Sequence, residues 1–128
     1  MPENDAHVSH SLVNLQKTER FIEVPVCRLS ELMRDHQHDH IHLLKIDIEG
    51  AEYTVLQTVL EDQIPVDVLC IEYDESAANH IDRHYIQRIE ASLQVLVASG
   101  FHVVAKEPGC HNYTLVHERI LIPGKPAQ

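Results

Sequence analysis

The strongest constraint on this chain is the stretch Leu43-Leu44-Lys45-Ile46-Asp47-Ile48-Glu49-Gly50-Ala51-Glu52. It begins as an apolar run, ends in carboxylates and a glycine, and passes at once into a helical pattern. With Ile41 at its start the run is too apolar for a strand with one wet face, so cover on both faces is expected, as in a parallel sheet. Ala51, Val55 and Val59 then recur every fourth residue, as do Leu56 and Leu60, which marks one apolar face of a helix. A strand that carries Asp47 and Glu49 to its carboxyl end and turns at Gly50 into a helix has the layout of a ligand site in an open α/β sheet. In such sheets ligands sit outside the carboxyl ends of the strands.

The other segments read as surroundings of that strand. Residues 1–19 show little apolar periodicity and are expected to be loose. Residues 20–27 are rich in strand formers, but Pro25 removes a donor and confines them to an edge. Ser30 is placed to cap a short helix carrying Leu32 and Met33. Residues 35–42 are mostly a polar, histidine-rich loop. Pro65 ends the first helical unit, and residues 66–73 form a second buried strand with Glu72 at its carboxyl end. A helix is predicted over 81–99, with Ile81, Tyr85, Ile89, Leu93, Leu96 and Val97 as its inner stripe and Gly100 in the left-handed position past its end. Residues 101–106 and 112–117 read as strands joined through Pro108-Gly109 in an antiparallel hairpin. The fold therefore spans 20–118, and 119–128 read as a tail. The succession strand–helix–strand–helix–strand–strand, with right-handed crossovers, winds the first three strands into one sheet.

Composition narrows the function classes. The 128 residues carry a net charge of -10 with eleven histidines counted neutral. Nucleic-acid backbones and anionic membrane surfaces are bound by clustered Lys and Arg, so neither is expected as a partner. No apolar run approaches the roughly 20 residues of a membrane span. The first residues, polar and acidic, do not read as a signal peptide. Cys27, Cys70 and Cys110 are odd in number and far apart, which fits a reducing, cytoplasmic setting better than a disulfide framework or structural zinc.

Asp47, Glu49 and Glu72 are the candidate catalytic residues. Alternation places Asp47 and Glu49 on one side of the strand, where one can act as a base or orient an acceptor hydroxyl. Hard carboxylate oxygens also suit a divalent ion, although no metal ligand set is assigned. A competing reading gives Glu49 a backbone role, accepting N–H groups of the strand–helix turn. Glu52, in the first helical turn, favours the helix dipole. Glu72 and Asp74 read either as a second wall of the cleft, with Tyr73 as a platform, or as loop carboxylates in water, and Lys45 is expected to pair with a carboxylate. His36, His38, His40 and His42 alternate and can present a metal comb. The H-x-H-x-D-H pattern is absent, however, because Asp39 follows His38 directly, and a solvated loop is the expectation.

Residues 44–52, Leu-Lys-Ile-Asp-Ile-Glu-Gly-Ala-Glu, followed by Val55-Leu56, resemble the "K-I-D-x-E-G-A-E…V-L" motif of FkbM-type methyltransferases. Val26-x-x-Leu29 with Leu32 is similar to that family's lead-in. Leu69-x-Ile71-Glu72 resembles its next strand, and Gly100-Phe101 its glycine–aromatic step. The resemblance covers about residues 20–118. It implies the methyltransferase variant of the Rossmann sheet, S-adenosylmethionine as cofactor, and methyl transfer to oxygen on a small molecule or sugar. The strand ending near Asp47 would be the fourth of that sheet, the one ending at Glu72 the fifth, and the last two the closing hairpin.

One departure bears on activity. The family's cofactor site rests on a glycine-rich turn and an acidic ribose-binding residue carried by the first strands. This chain has four glycines, none before Gly50, and no G-x-G-like turn. It thus reads as the carboxyl-terminal half of a methyltransferase sheet, a partial Rossmann-like fold inactive alone, with no cofactor-binding residue assigned. The strand carrying Asp47 would then have an open edge, which invites self-association or a partner chain unless residues 21–26 cover it. Two further readings stand beside this one: a non-enzymatic α/β module for interaction or assembly, and a metal-binding module built on the histidine loop.

Overall fold

Two strand–helix units and a hairpin make up the part of the chain described by the computed structural model, which is residue 19, residues 23–77 and residues 82–121. In order these are α1 (Leu29–Asp35), β1 (Ile41–Ile46), α2 (Glu52–Glu61), β2 (Val66–Glu72), α3 (Tyr85–Ala98), β3 (Phe101–Lys106), β4 (Asn112–His117) and α4 (Glu118–Leu121). The four strands form one mixed sheet in the order β1-β2-β4-β3. β1 and β2 are parallel, with Ile41 opposite Val66 and Ile46 opposite Ile71. β4 runs antiparallel to both β2 and β3. The fold is α/β, as expected, and it brings the carboxyl ends of β1 and β2 to the same end of the sheet.

The core lies against one face. The register puts Ile46, Leu69, Ile71 and Leu115 on that face, where they are buried with Leu56 and Val59 of α2 and Ile89 and Leu96 of α3. Each such fully buried side chain contributes about 1.5–3 kcal/mol of transfer free energy. The opposite face is a correction to the expected two-sided cover. Leu43 there is 60% exposed and Lys45 is exposed. Cover on that side is confined to the strand starts, where Val66, opposite Ile41, is fully buried.

Local turns follow the glycines. Gly50 (φ 101°) reverses the chain between β1 and α2. Gly100 (φ 94°) ends the α3 unit, where an added Cβ would lie 3.2 Å from the His117 ring. The short connection between β3 and β4 closes the hairpin as predicted.

Four expectations change. Residues 23–28 form no strand and are exposed, while residues 20–22 lie outside the described residues. A strand former without a hydrogen-bonding partner gains nothing from its propensity. Ser30 sits inside α1 rather than capping it. The N-cap is Arg28, whose backbone N–H donates to Glu31 at 3.0 Å, and the Ser30 hydroxyl donates to Asp62 instead. α3 begins at Tyr85, and Ile81 of the predicted stripe lies outside the described residues. Helix α4 occupies the first residues of the segment read as a tail.

Among the described residues nothing pairs with the outer edge of β1. Beside that edge runs a groove of about 560 Å³, lined by Val26, Leu29, Leu44, Ile46, Ile48 and Val55 among others. No helix among the described residues is long and apolar enough to cross a membrane.

Candidate functional site

The carboxyl ends of β1 and β2 gather acidic side chains around one ammonium group. Lys45 Nζ donates to Asp47 Oδ2 at 2.5 Å and lies 3.7 Å from Glu72 Oε2. The hydrogen bond to Asp47 raises the Lys45 ammonium above its ordinary value. The pairing expected of Lys45 is thus present. One oxygen each from Asp47, Glu72 and Asp74 lies within 4.8 Å of the others, a set able to hold a divalent cation. Lys45 already fills the cationic position against two of them.

Glu49 takes a different place from the one alternation suggests. β1 stops at Ile46, and Glu49 is left-handed (φ 56°), so the period of two does not reach it. Its backbone N–H donates to Asp74 Oδ2 at 2.9 Å. The turn-capping role proposed for Glu49 belongs to Glu52. Glu52 is fully buried, and its Oε1 accepts the N–H groups of Gly50 at 2.8 Å and Ile48 at 3.3 Å. Its other oxygen, Oε2, is buried with no hydrogen-bond partner among the described residues.

Asp74 is the carboxyl most changed by this setting. Burial first, then the charges of Glu49 and Glu52, push it up to about 7. A carboxyl that trades its proton near neutrality is suited to general acid–base work. Nothing in the sequence singled out Asp74 over Glu72. The signal lies in the left-handed turn, which brings Glu49 and Glu52 to it from 25 and 22 residues away.

The walls are built by the segment that follows β2. Tyr73 is no open platform: it is 3% exposed, its hydroxyl pairs with Ser92 at 2.9 Å, and burial pushes it up to about 12. Tyr53 donates to the buried Glu75 at 2.9 Å, while Arg88 lies 3.4 Å from Glu75 and stacks over the Tyr53 ring at 4.4 Å. On the uncovered sheet face a hollow of about 270 Å³ borders Lys45, Glu72, Lys106, Asn112 and Tyr113.

The histidine segment divides. His36 and His38 are exposed, as a solvated loop requires. His40 and His42 instead converge on Asp67 at the amino ends of β1 and β2. Burial opposes ionisation of Asp67, but hydrogen bonds from His40, His42 and Arg119 outweigh it and hold the carboxyl at about 2.

Residues 2–97 match the family described as the methyltransferase FkbM domain. The match starts earlier than the motif-bearing stretch 20–118 and stops before the hairpin. No curated protein and no solved structure matches the chain.

Proposed function

The chain belongs to the FkbM methyltransferase domain family, and we propose that it supplies the acceptor side of an O-methyltransferase acting on a hydroxyl of a small molecule or sugar. The observation that carries this reading is the convergence of Asp47, Glu72 and Asp74 at the carboxyl ends of two parallel strands, the position at which open α/β sheets bind ligands. Asp74 takes the hydroxyl proton. Glu49 serves it twice, through its backbone N–H and through the charge that raises its proton affinity. Asp47 and Glu72, held by Lys45, orient the acceptor in the hollow beside them.

S-adenosylmethionine is the cofactor that the family implies. The described residues do not fit it by themselves. Of the two glycine turns at this end of the sheet, the one beside the carboxylates is at Gly50, and its N–H is committed to Glu52 rather than free to cradle a ligand. The cofactor side is therefore part of the proposal: it comes from residues outside the four strands, and these strands alone do not transfer methyl groups. The open edge of β1 and its apolar groove are where that side would dock, in a cytoplasmic setting that suits three free cysteines.

Complementation tests this. The chain is mixed with a separately expressed first half of an FkbM-family domain, methyl-labelled S-adenosylmethionine and a panel of hydroxylated sugars and small molecules. Label is expected in product only from the mixture. Asp74→Asn is expected to lower the rate by about 10²–10⁴-fold, the range for a lost general base. An unchanged rate in that variant contradicts the assignment. The same groove supports a second reading, a non-enzymatic assembly module, and a stable heteromer that transfers no label favours it.

A further inference from the structure

We propose that His40, His42 and Asp67 form a binding site for a late first-row divalent metal ion of the zinc class, separate from the carboxylate cleft. His40 Nε2 and His42 Nδ1 each lie 2.8 Å from the same oxygen, Asp67 Oδ2. The three donor atoms fall within 4.8 Å of one another. Donors around a tetrahedral zinc stand about 2.0–2.2 Å from the metal. An opening of a few tenths of an ångström would therefore admit the ion in place of two hydrogen bonds. Two imidazoles and one carboxylate select zinc, nickel or cobalt over magnesium and calcium, which prefer all-oxygen shells.

Two of the three ligands, His42 and Asp67, are pre-organised on paired strands, and His40 is the last loop residue before β1. The parallel register places His42 directly across from Asp67, between the pairs Ile41–Val66 and Leu43–Val68. His40 stands two residues before His42, on the same side. The N–H of Ile41 donates to Pro65 O at 2.9 Å and pins the two strand starts together. Arg119 supplies the outer support that metal-binding carboxylates usually have. Its Nε holds Asp67 Oδ1 at 3.0 Å and its guanidinium reaches the Val66 carbonyl, leaving Oδ2 to face the histidines. The His42 side chain is 90% exposed, which gives the ion an entry path and leaves a fourth position for water. Asp47 lies five residues beyond His42, roughly 17 Å along the strand. An ion here clips β1 to β2 and takes no part in chemistry at the carboxylates, so this inference does not depend on the proposed function.

Calorimetric titration of the tag-free chain with zinc chloride tests it, with cobalt spectra reporting coordination number. One saturable ion per chain is expected, with four-coordinate cobalt bands. Affinity is expected to fall at least tenfold in His42→Ala and in Asp67→Asn, and to stay unchanged in the His36→Ala, His38→Ala double variant. His42→Ala truncates an exposed side chain, so its far-UV circular dichroism should match the parent. Absence of saturable binding, or equal affinity in His42→Ala, would overturn the assignment, as would loss of binding in the His36, His38 variant alone.

Discussion

The two ends of the β1–β2 pair hold carboxylates in opposite ways. At the amino end a single carboxylate, Asp67, is surrounded by three donors from His40, His42 and Arg119. At the carboxyl end three carboxylates, Asp47, Glu72 and Asp74, cluster beside one ammonium, Lys45, which reaches Asp47 and Glu72. Both ends are built by the same two strands in one register. Yet Asp67 is held at about 2 while Asp74 is pushed up to about 7. Burial opposes ionisation at both; at Asp67 the three donors outweigh it, whereas at Asp74 the charges of Glu49 and Glu52 add to it. An end rich in donors keeps its carboxylate charged and fixed. An end rich in acceptors keeps a proton that it can exchange.

Substitutions along the β1–β2 pair probe the difference between its ends. The largest effect is expected at its shared middle. Leu69 is fully buried between the two ends, and Leu69→Ala should cost about 2–5 kcal/mol in denaturant unfolding, weakening both ends at once. A loss confined to one end would show that they are not held by a common core. Next, Arg119→Ala removes the guanidinium that donates to Asp67 and to the Val66 carbonyl. It should cost about 1–3 kcal/mol, read from the same unfolding curves.

The carboxyl end should respond through pH rather than through overall stability. The folded value of Asp74 stands above its ordinary 3.8. The native state therefore holds a proton that the unfolded chain has released between about pH 4 and pH 7. The stabilising contribution is full below that window and is lost as pH rises through 7. Asp74→Asn should leave thermal stability unchanged at pH 4 and raise the melting temperature at pH 8. A variant that melts like the parent at both pH values would remove the basis for a proton-trading Asp74. The smallest effect belongs to Lys45→Met. Its side chain is 58% exposed, and exposed pairs are worth about 0–1 kcal/mol. Stability should change little at moderate salt, in contrast to Arg119→Ala at the other end.

The elements themselves were legible because their signals are local. Apolar runs bounded by Gly50, Pro65 and Gly100 mark β1, β2 and the start of the hairpin, and the spacing of four marks α2. Asp47 and Glu72 could be named because strand ends are read directly from such runs. Glu52 could not, since its inward turn depends on two successive left-handed residues, Glu49 and Gly50. Asp74 needed the same turn. The pairing of His40 and His42 with Asp67 was hidden for another reason. Its third member lies 25 residues beyond His42, inside a strand whose apolar neighbours argued for a featureless core. Residues 23–27 failed in the opposite direction, because β-propensity was present but no described strand lies beside them to pair with.

On the proposed reading these strands carry the acceptor wall of a methyltransferase cleft while the cofactor wall lies elsewhere. Calorimetric titration of the chain alone with S-adenosylmethionine tests it most directly. No saturable heat is expected. Tight one-to-one binding would contradict it and place the cofactor on residues already in this chain.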